Sequence, residues 1–130
     1  MDSSATGLRV LLIEDEPAIS QVCRRVLANE GFTVDSAVNG KVAQNMLKRR
    51  SYDLILADIK TPVMDGKEFY QHLHEQHALL VSRVIFTTGD VIGGETKQFL
   101  EQSGRPVLAK PFTPDELRKI IRETLGQVGR

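Results

Sequence analysis

Two rhythms of apolar residues alternate along the chain. One is a short, nearly continuous run and the other recurs with the period of a helix. Leu8-Arg9-Val10-Leu11-Leu12-Ile13 is of the first kind and stops at Glu14-Asp15-Glu16, as a strand covered on both faces does. From Pro17 onward, Ile19, Val22, Cys23, Val26 and Leu27 recur at i, i+3, i+4, i+7 and i+8. That spacing is one face of a helix, and Gly31 ends it. The same exchange repeats. Residues 32–37 read as a second strand, Asn39-Gly40 as the loop after it, and Val42, Ala43, Met46 and Leu47 as the next helical stripe. Residues 54–57 form a third strand ending at Asp58, and a loop with Pro62 and Gly66 leads to a helix around 68–76. Residues 84–87 form a fourth strand closing on Thr88-Gly89-Asp90, and a helix with Phe99 and Leu100 inward follows Gly93 and Gly94. A short fifth strand, 107–109, precedes Lys110-Pro111. Thr113-Pro114-Asp115-Glu116 then places a capping hydroxyl, a first-turn proline and a returning glutamate ahead of the stripe Leu117, Ile120, Ile121, Leu125. Five strands alternating with five helices predict an α/β domain, a parallel sheet covered by helices on both faces.

Composition narrows the function classes without naming one. With 41% hydrophobic and 26% charged residues, 130 residues build a single core; the domain is expected over 8–125, with 1–7 and 126–130 as flexible termini. No apolar run approaches the ~20 residues of a membrane helix, and the polar opening Met1-Asp2-Ser3-Ser4 does not read as a signal peptide. A cytoplasmic protein with no membrane partner is expected. Seventeen basic and seventeen acidic residues cancel, so no broad field draws the chain onto nucleic acid. The lone Cys23 excludes an internal disulfide and a cysteine zinc site, and its place on an apolar stripe suits a buried, inert thiol. His72, His74 and His77 lack the i, i+4 spacing of a helical metal pair and read as a solvated helix surface. Lys48-Arg49-Arg50 reads as cations complementing a helix end.

Parallel sheets of this kind bind ligands beyond the carboxyl ends of their strands. Those ends carry Glu14-Asp15 (first), Asp58 (third), Thr88 (fourth) and Lys110 (fifth). If the first, third and fourth strands are central, three carboxylates, a hydroxyl and an ammonium meet at one rim. Two like charges 4 Å apart cost ~4 kcal/mol at an effective dielectric near 20, so the acids must take up protons or bind a cation. An all-oxygen donor set suits Mg²⁺ or Mn²⁺. Lys110 could hold a phosphoryl oxygen and Thr88 donate to one; a carboxylate so placed is equipped to form an acyl phosphate.

These motifs carry a resemblance. Leu11-Leu12-Ile13-Glu14-Asp15-Glu16, Asp58-Ile59-Lys60-Thr61-Pro62-Val63-Met64-Asp65-Gly66, Thr88-Gly89 and Lys110-Pro111-Phe112 resemble the receiver domains of two-component response regulators, the CheY-like superfamily. The resemblance implies a flavodoxin-like, doubly wound sheet of strand order 2-1-3-4-5. It implies Asp58 as phosphoacceptor, Glu14 and Asp15 with Asp58 as the acidic Mg²⁺ site, and the backbone carbonyl of Lys60 as a further ligand. It implies Thr88 as the switch hydroxyl, Lys110 as the phosphoryl-pairing lysine, and a cis peptide at Lys110-Pro111. The donor would be a phosphohistidine on a sensor histidine kinase or phosphotransfer protein. No enzyme activity is implied beyond self-catalysed phosphoryl uptake and autodephosphorylation. Lys60 and Asp90 fall at positions that tune hydrolysis in the family. Two departures stand out: the acidic pair is Glu-Asp instead of the commoner Asp-Asp, and Val107 replaces the usual aromatic three residues before the lysine.

Rival readings of the sheet fare less well. A haloacid-dehalogenase-type phosphatase wants a second aspartate where Lys60 stands, and Glu14-Asp15 would repel the phosphate of a flavodoxin's FMN. The remaining alternative is a non-phosphorylated pseudo-receiver acting as an interaction module. No output domain is legible in these residues, so the signal is expected to pass by contact to a downstream protein, from a stand-alone receiver or a piece of a hybrid kinase. One hydroxyl and one charged hydrogen bond to the phosphoryl group supply ~2–4 kcal/mol. A complete switch needs ~5.5 kcal/mol, so a partial population shift is expected.

Overall fold

The structure is a computed structural model and describes residues 7–89 and 94–128. The elements are β1 (Arg9–Ile13), α1 (Pro17–Asn29), β2 (Thr33–Ala37), α2 (Gly40–Leu47), β3 (Leu54–Asp58), α3 (Gly66–Gln76), β4 (Val84–Thr88), α4 (Gly94–Ser103), β5 (Val107–Ala109) and α5 (Pro114–Val128). The strands form one parallel sheet of order β2-β1-β3-β4-β5, the doubly wound order expected. A 3₁₀ segment between α3 and β4, Ala78–Arg83, adds a sixth helical element that no periodic stripe announces.

Successive strand residues point to opposite faces, and the core divides accordingly. Val10, Leu12, Leu54, Leu56, Ile85 and Leu108 pack on one face with Cys23, Leu27, Leu117 and Ile121 of α1 and α5. Leu11, Ile13, Ile55, Ala57, Val84 and Phe86 pack on the other with Ala43, Phe69, Leu73 and Leu100 of α2, α3 and α4. Burial on both faces explains why the strands read as continuous apolar runs and not as alternation.

Local signals fix the helix starts. Pro17 occupies the first turn of α1. The Thr113 hydroxyl accepts from Glu116 N at 3.1 Å while the Glu116 carboxylate accepts from Thr113 N at 2.8 Å, a reciprocal cap on α5. Asp65 and Glu68 make the same box at α3. Asn39-Gly40 is more than a loop: the Asn39 side chain accepts from Val42 N at 3.0 Å and Gly40 opens α2. Helix α5 runs on to Val128, so 126–128 are helical; the termini 1–6 and 129–130 lie outside the described residues, as do Asp90 and Gly93. No helix among the described residues is long and apolar enough to cross a membrane.

Candidate functional site

The parallel register sets the strand ends side by side. Leu12 lies opposite Leu56 and Ile13 opposite Ala57, which brings the residues after β1 to the end of β3. Asp58 pairs with Thr87, and Thr88 with Ala109, which delivers Lys110 to the same rim. Two backbone bonds tie the strand exits together: Ile59 N donates to the Thr87 carbonyl at 3.0 Å and Lys110 N to the Thr88 carbonyl at 2.8 Å.

At that rim Glu14, Asp15 and Asp58 each offer a carboxylate oxygen within 4.8 Å of the others. Glu14 and Asp58 are buried, at 4% and 5% exposure, and Asp15 is exposed. The Lys110 ammonium lies 2.9 Å from Asp58 Oδ2, 3.0 Å from Glu14 Oε1 and 3.8 Å from Glu16 Oε1. Asp58 Oδ1 accepts from Lys60 N at 3.1 Å, and Glu14 Oε2 from Glu16 N at 3.1 Å. Burial pushes the Glu14 carboxyl above its ordinary value, outweighing the hydrogen bonds from Lys110 and Glu16 N that favour the charged form. Burial pulls Lys110 the other way, yet its hydrogen bonds to Asp58 and Glu14 prevail and hold its pKa above that of a free lysine. The ammonium is therefore a fixed counter-charge to a crowded set of acids. Glu14 and Asp58 share that ammonium, and with the exposed Asp15 they make an all-oxygen set chemically suited to a hard divalent cation that keeps waters in its shell.

Thr87 and Thr88 are both buried, at 3% and 1% exposure. Lys60 is exposed. The peptide between Lys110 and Pro111 is cis. Val107 is half-buried against a core layer whose aromatic content comes from elsewhere. Tyr70 of α3, Phe86 of β4 and Phe99 of α4 form an edge-to-face trio, with centroids 5.3, 5.4 and 5.8 Å apart.

In the loop from β3 to α3, residues of the Asp58–Gly66 motif with no chemical role of their own hold the backbone in place. Gly66 donates its N–H to the Ile59 carbonyl at 2.8 Å. A Cβ there would stand 2.9 Å from Ile59 Cα and 3.0 Å from the Asp58 carbonyl oxygen, so only glycine lets the loop close against the end of β3. The Met64 carbonyl accepts from the Thr61 hydroxyl at 2.7 Å and from Gly40 N at 3.0 Å, pinning the loop to α2. Between them Val63 takes φ 68° with Met64 N bonded to the Pro62 carbonyl at 2.7 Å, a tight turn in the region β-branched residues avoid. Pro62 and Gly66 mark this loop in the sequence; nothing local marks Thr61 or Val63.

The family profile described as the response regulator receiver domain matches residues 10–122. The chain belongs to this family. Among curated proteins it is 33% identical to "Response regulator Rre1" of Synechocystis sp. over 95% of this chain and 54% of that protein. It is 32% identical to "Transcription factor SKN7" of Saccharomyces cerevisiae over 88% of this chain and 18% of that protein. The chain thus spans about half, or less, of the length of these relatives. Among solved structures it superposes on the chemotaxis response regulator CheY4 of Vibrio cholerae with a TM-score of 0.80 at 28% identity, covering 91% of this chain and 98% of that one. The receiver domain of sensor histidine kinase PA1611 from Pseudomonas aeruginosa gives 0.82 at 31% identity over 93% and 99%. That structure has a magnesium ion coordinated in its active site cleft. Phosphotransfer signalling is the general role of the receiver-domain family to which this chain belongs.

Proposed function

We propose that this receiver takes a phosphoryl group from a phosphohistidine of a sensor kinase or phosphotransfer protein onto Asp58. The observation that carries the reading is the placement of Asp58: buried, 2.9 Å from Lys110 Nζ, with oxygens of Glu14 and Asp15 within 4.8 Å. An Asp58 carboxylate oxygen forms the bond to phosphorus while the phosphorus–nitrogen bond of the donor breaks, and the imidazole nitrogen keeps the electron pair. Mg²⁺ held by Glu14, Asp15, Asp58 and the Lys60 carbonyl would neutralise the incoming phosphoryl charge. Lys110 stays beside Asp58 and accompanies the charge that the phosphoryl oxygens bring. Thr88, at the end of β4, supplies the hydroxyl that reports the modification. Positioning and electrostatic stabilisation carry the rate.

The switch is weaker than the sequence alone suggests. Lys110 already bonds Asp58 and Glu14 in this structure, so its bond to a phosphoryl oxygen replaces an existing one. A Thr88 hydroxyl bond to the phosphoryl group adds at most about 0.5–1.5 kcal/mol, well short of the ~5.5 kcal/mol of a full two-state switch. A partner that prefers the phosphorylated form completes the shift. With Val107 on β5, the face formed by α4 is coupled to β4 through Phe86, Phe99 and Tyr70.

The test is incubation with acetyl phosphate and Mg²⁺, read by intact mass. One added phosphoryl group, absent in Asp58→Asn, is the expected result. No adduct in a protein shown to bind Mg²⁺ would establish the pseudo-receiver reading in its place.

A further inference from the structure

At the pole of the sheet opposite the acidic rim, the ends of α2 and α3 and the 3₁₀ segment enclose a second cleft of about 640 Å³. Leu47 and Tyr52 are buried in its floor, Leu80 is half-buried in its wall, and Leu79 stands on the rim at 89% exposure. The rim also carries Lys48, Arg49 and Arg50, and no carboxylate lines the cleft. Arg50 is engaged by Asp35 at 3.2 Å. Lys48 and Arg49 are exposed and join no ion pair among the described residues. The pKa of His72 on α3 is lowered by burial first, then by His77, and by Lys41 and Lys48 against an opposing pull from Glu75.

The dipole of α2 accounts for cations near its end. It does not account for a leucine left almost wholly in water beside them. A flat anionic surface or a phosphate backbone would engage the cations and leave a concave apolar cleft unfilled. A protruding apolar side chain with carboxylates one helical turn away fills both. We propose that this cleft docks an acidic amphipathic helix of a partner protein, apolar side against Leu47, Leu79 and Leu80, carboxylates against Lys48 and Arg49. The surface is independent of the phosphoryl chemistry and leaves the acidic rim open to a phosphodonor.

The test titrates the ¹⁵N-labelled chain with a synthetic helical peptide bearing leucines on one face and glutamates beside them. Its Glu→Lys analogue, a scrambled peptide and phosphatidylserine vesicles are run in parallel. Expected are amide shifts confined to residues 47–52 and 76–80 and an affinity that falls with salt. Lys48→Glu with Arg49→Glu should weaken binding by about tenfold or more, and Leu79→Asp should weaken it independently. All three side chains are exposed, so the variants retain the fold, as thermal unfolding will verify. The proposal is overturned by no shifts at millimolar peptide, by equal binding of the scrambled or lysine peptides, by shifts centred on Lys110-Phe112, or by vesicle binding in place of peptide binding.

Discussion

Replacing Lys110 with methionine keeps a long apolar stem and deletes the cation that faces Glu14, Asp58 and Glu16 at 3.0, 2.9 and 3.8 Å. The Glu14 and Asp58 side chains are only 2% and 6% exposed, so their charges are left poorly hydrated. Removing one partner of a buried charge pair costs about 3–5 kcal/mol; Lys110 keeps 14% of its side-chain exposure, which places the expected loss near the low end, at about 3 kcal/mol. A divalent cation supplies the missing charge. By linkage, whatever stability Mg²⁺ restores to Lys110→Met beyond its effect on the parent must equal the gain in metal affinity. Recovery of half the loss corresponds to roughly tenfold tighter Mg²⁺ binding. Phosphoryl uptake should nevertheless fall, because the ammonium that accompanies the incoming charge is gone. The assay is urea unfolding of both proteins with and without saturating Mg²⁺, alongside calorimetric Mg²⁺ titration. Equal stability losses in both conditions, with unchanged metal affinity, would refute the view of Lys110 as internal counter-ion to the metal site. The pH dependence adds a sign. The Lys110 pKa is raised on folding, so its contribution is complete below the ordinary lysine value and is lost as pH rises through the higher folded one.

Other expectations follow from single environments. His72 has its pKa lowered by burial and the neighbouring cations, so the unfolded state binds its proton more readily and stability falls as pH drops below the ordinary histidine value. His72→Gln should flatten the change in urea midpoint between neutral and mildly acidic pH, and an unchanged slope would assign that loss elsewhere. Burial pushes the Cys23 thiol up to about 12, with the Glu14 charge adding to it; native protein should resist alkylation at pH 8 and react only on unfolding, as intact mass will report. Gly66→Ala forces a methyl against the Ile59 Cα and Asp58 carbonyl, an overpacking of about 1–3 kcal/mol. Because those backbone atoms carry the Asp58 side chain, the variant's Mg²⁺ affinity should fall with its urea midpoint; a stable variant with normal affinity would show that the loop can give way.

What the sequence discloses and what it hides have physical reasons. Strands buried on both faces must be apolar throughout, so β1, β3 and β4 announce themselves, and the acids at their ends stand out against that background. The cap at Thr113 is equally local, since every partner lies within three residues. The roles of Gly40 and Gly66 are not local: each is required by a backbone brought close in space, Met64 in one case and Ile59 in the other. The 3₁₀ segment is hidden because Leu79-Leu80-Val81 carries no helical period, and Leu79 is the most solvent-exposed large apolar side chain among the described residues. Val107 shows the limit most clearly. Its small side chain at the place of the family's aromatic reads as a missing part of the switch. In space the ring volume is supplied by Tyr70, Phe86 and Phe99 from three separate elements, and the Tyr70 hydroxyl reaches the Ser103 carbonyl at the end of α4 at 3.5 Å. No period in the chain links those three positions. Phe86 lies two residues before Thr88 on the same strand face, and its ring meets that of Phe99 at 5.4 Å, so the trio joins β4 to α4 by direct packing. Each ring meets the other two edge to face, an arrangement that adds about 0.5–1.5 kcal/mol per pair beyond the area buried.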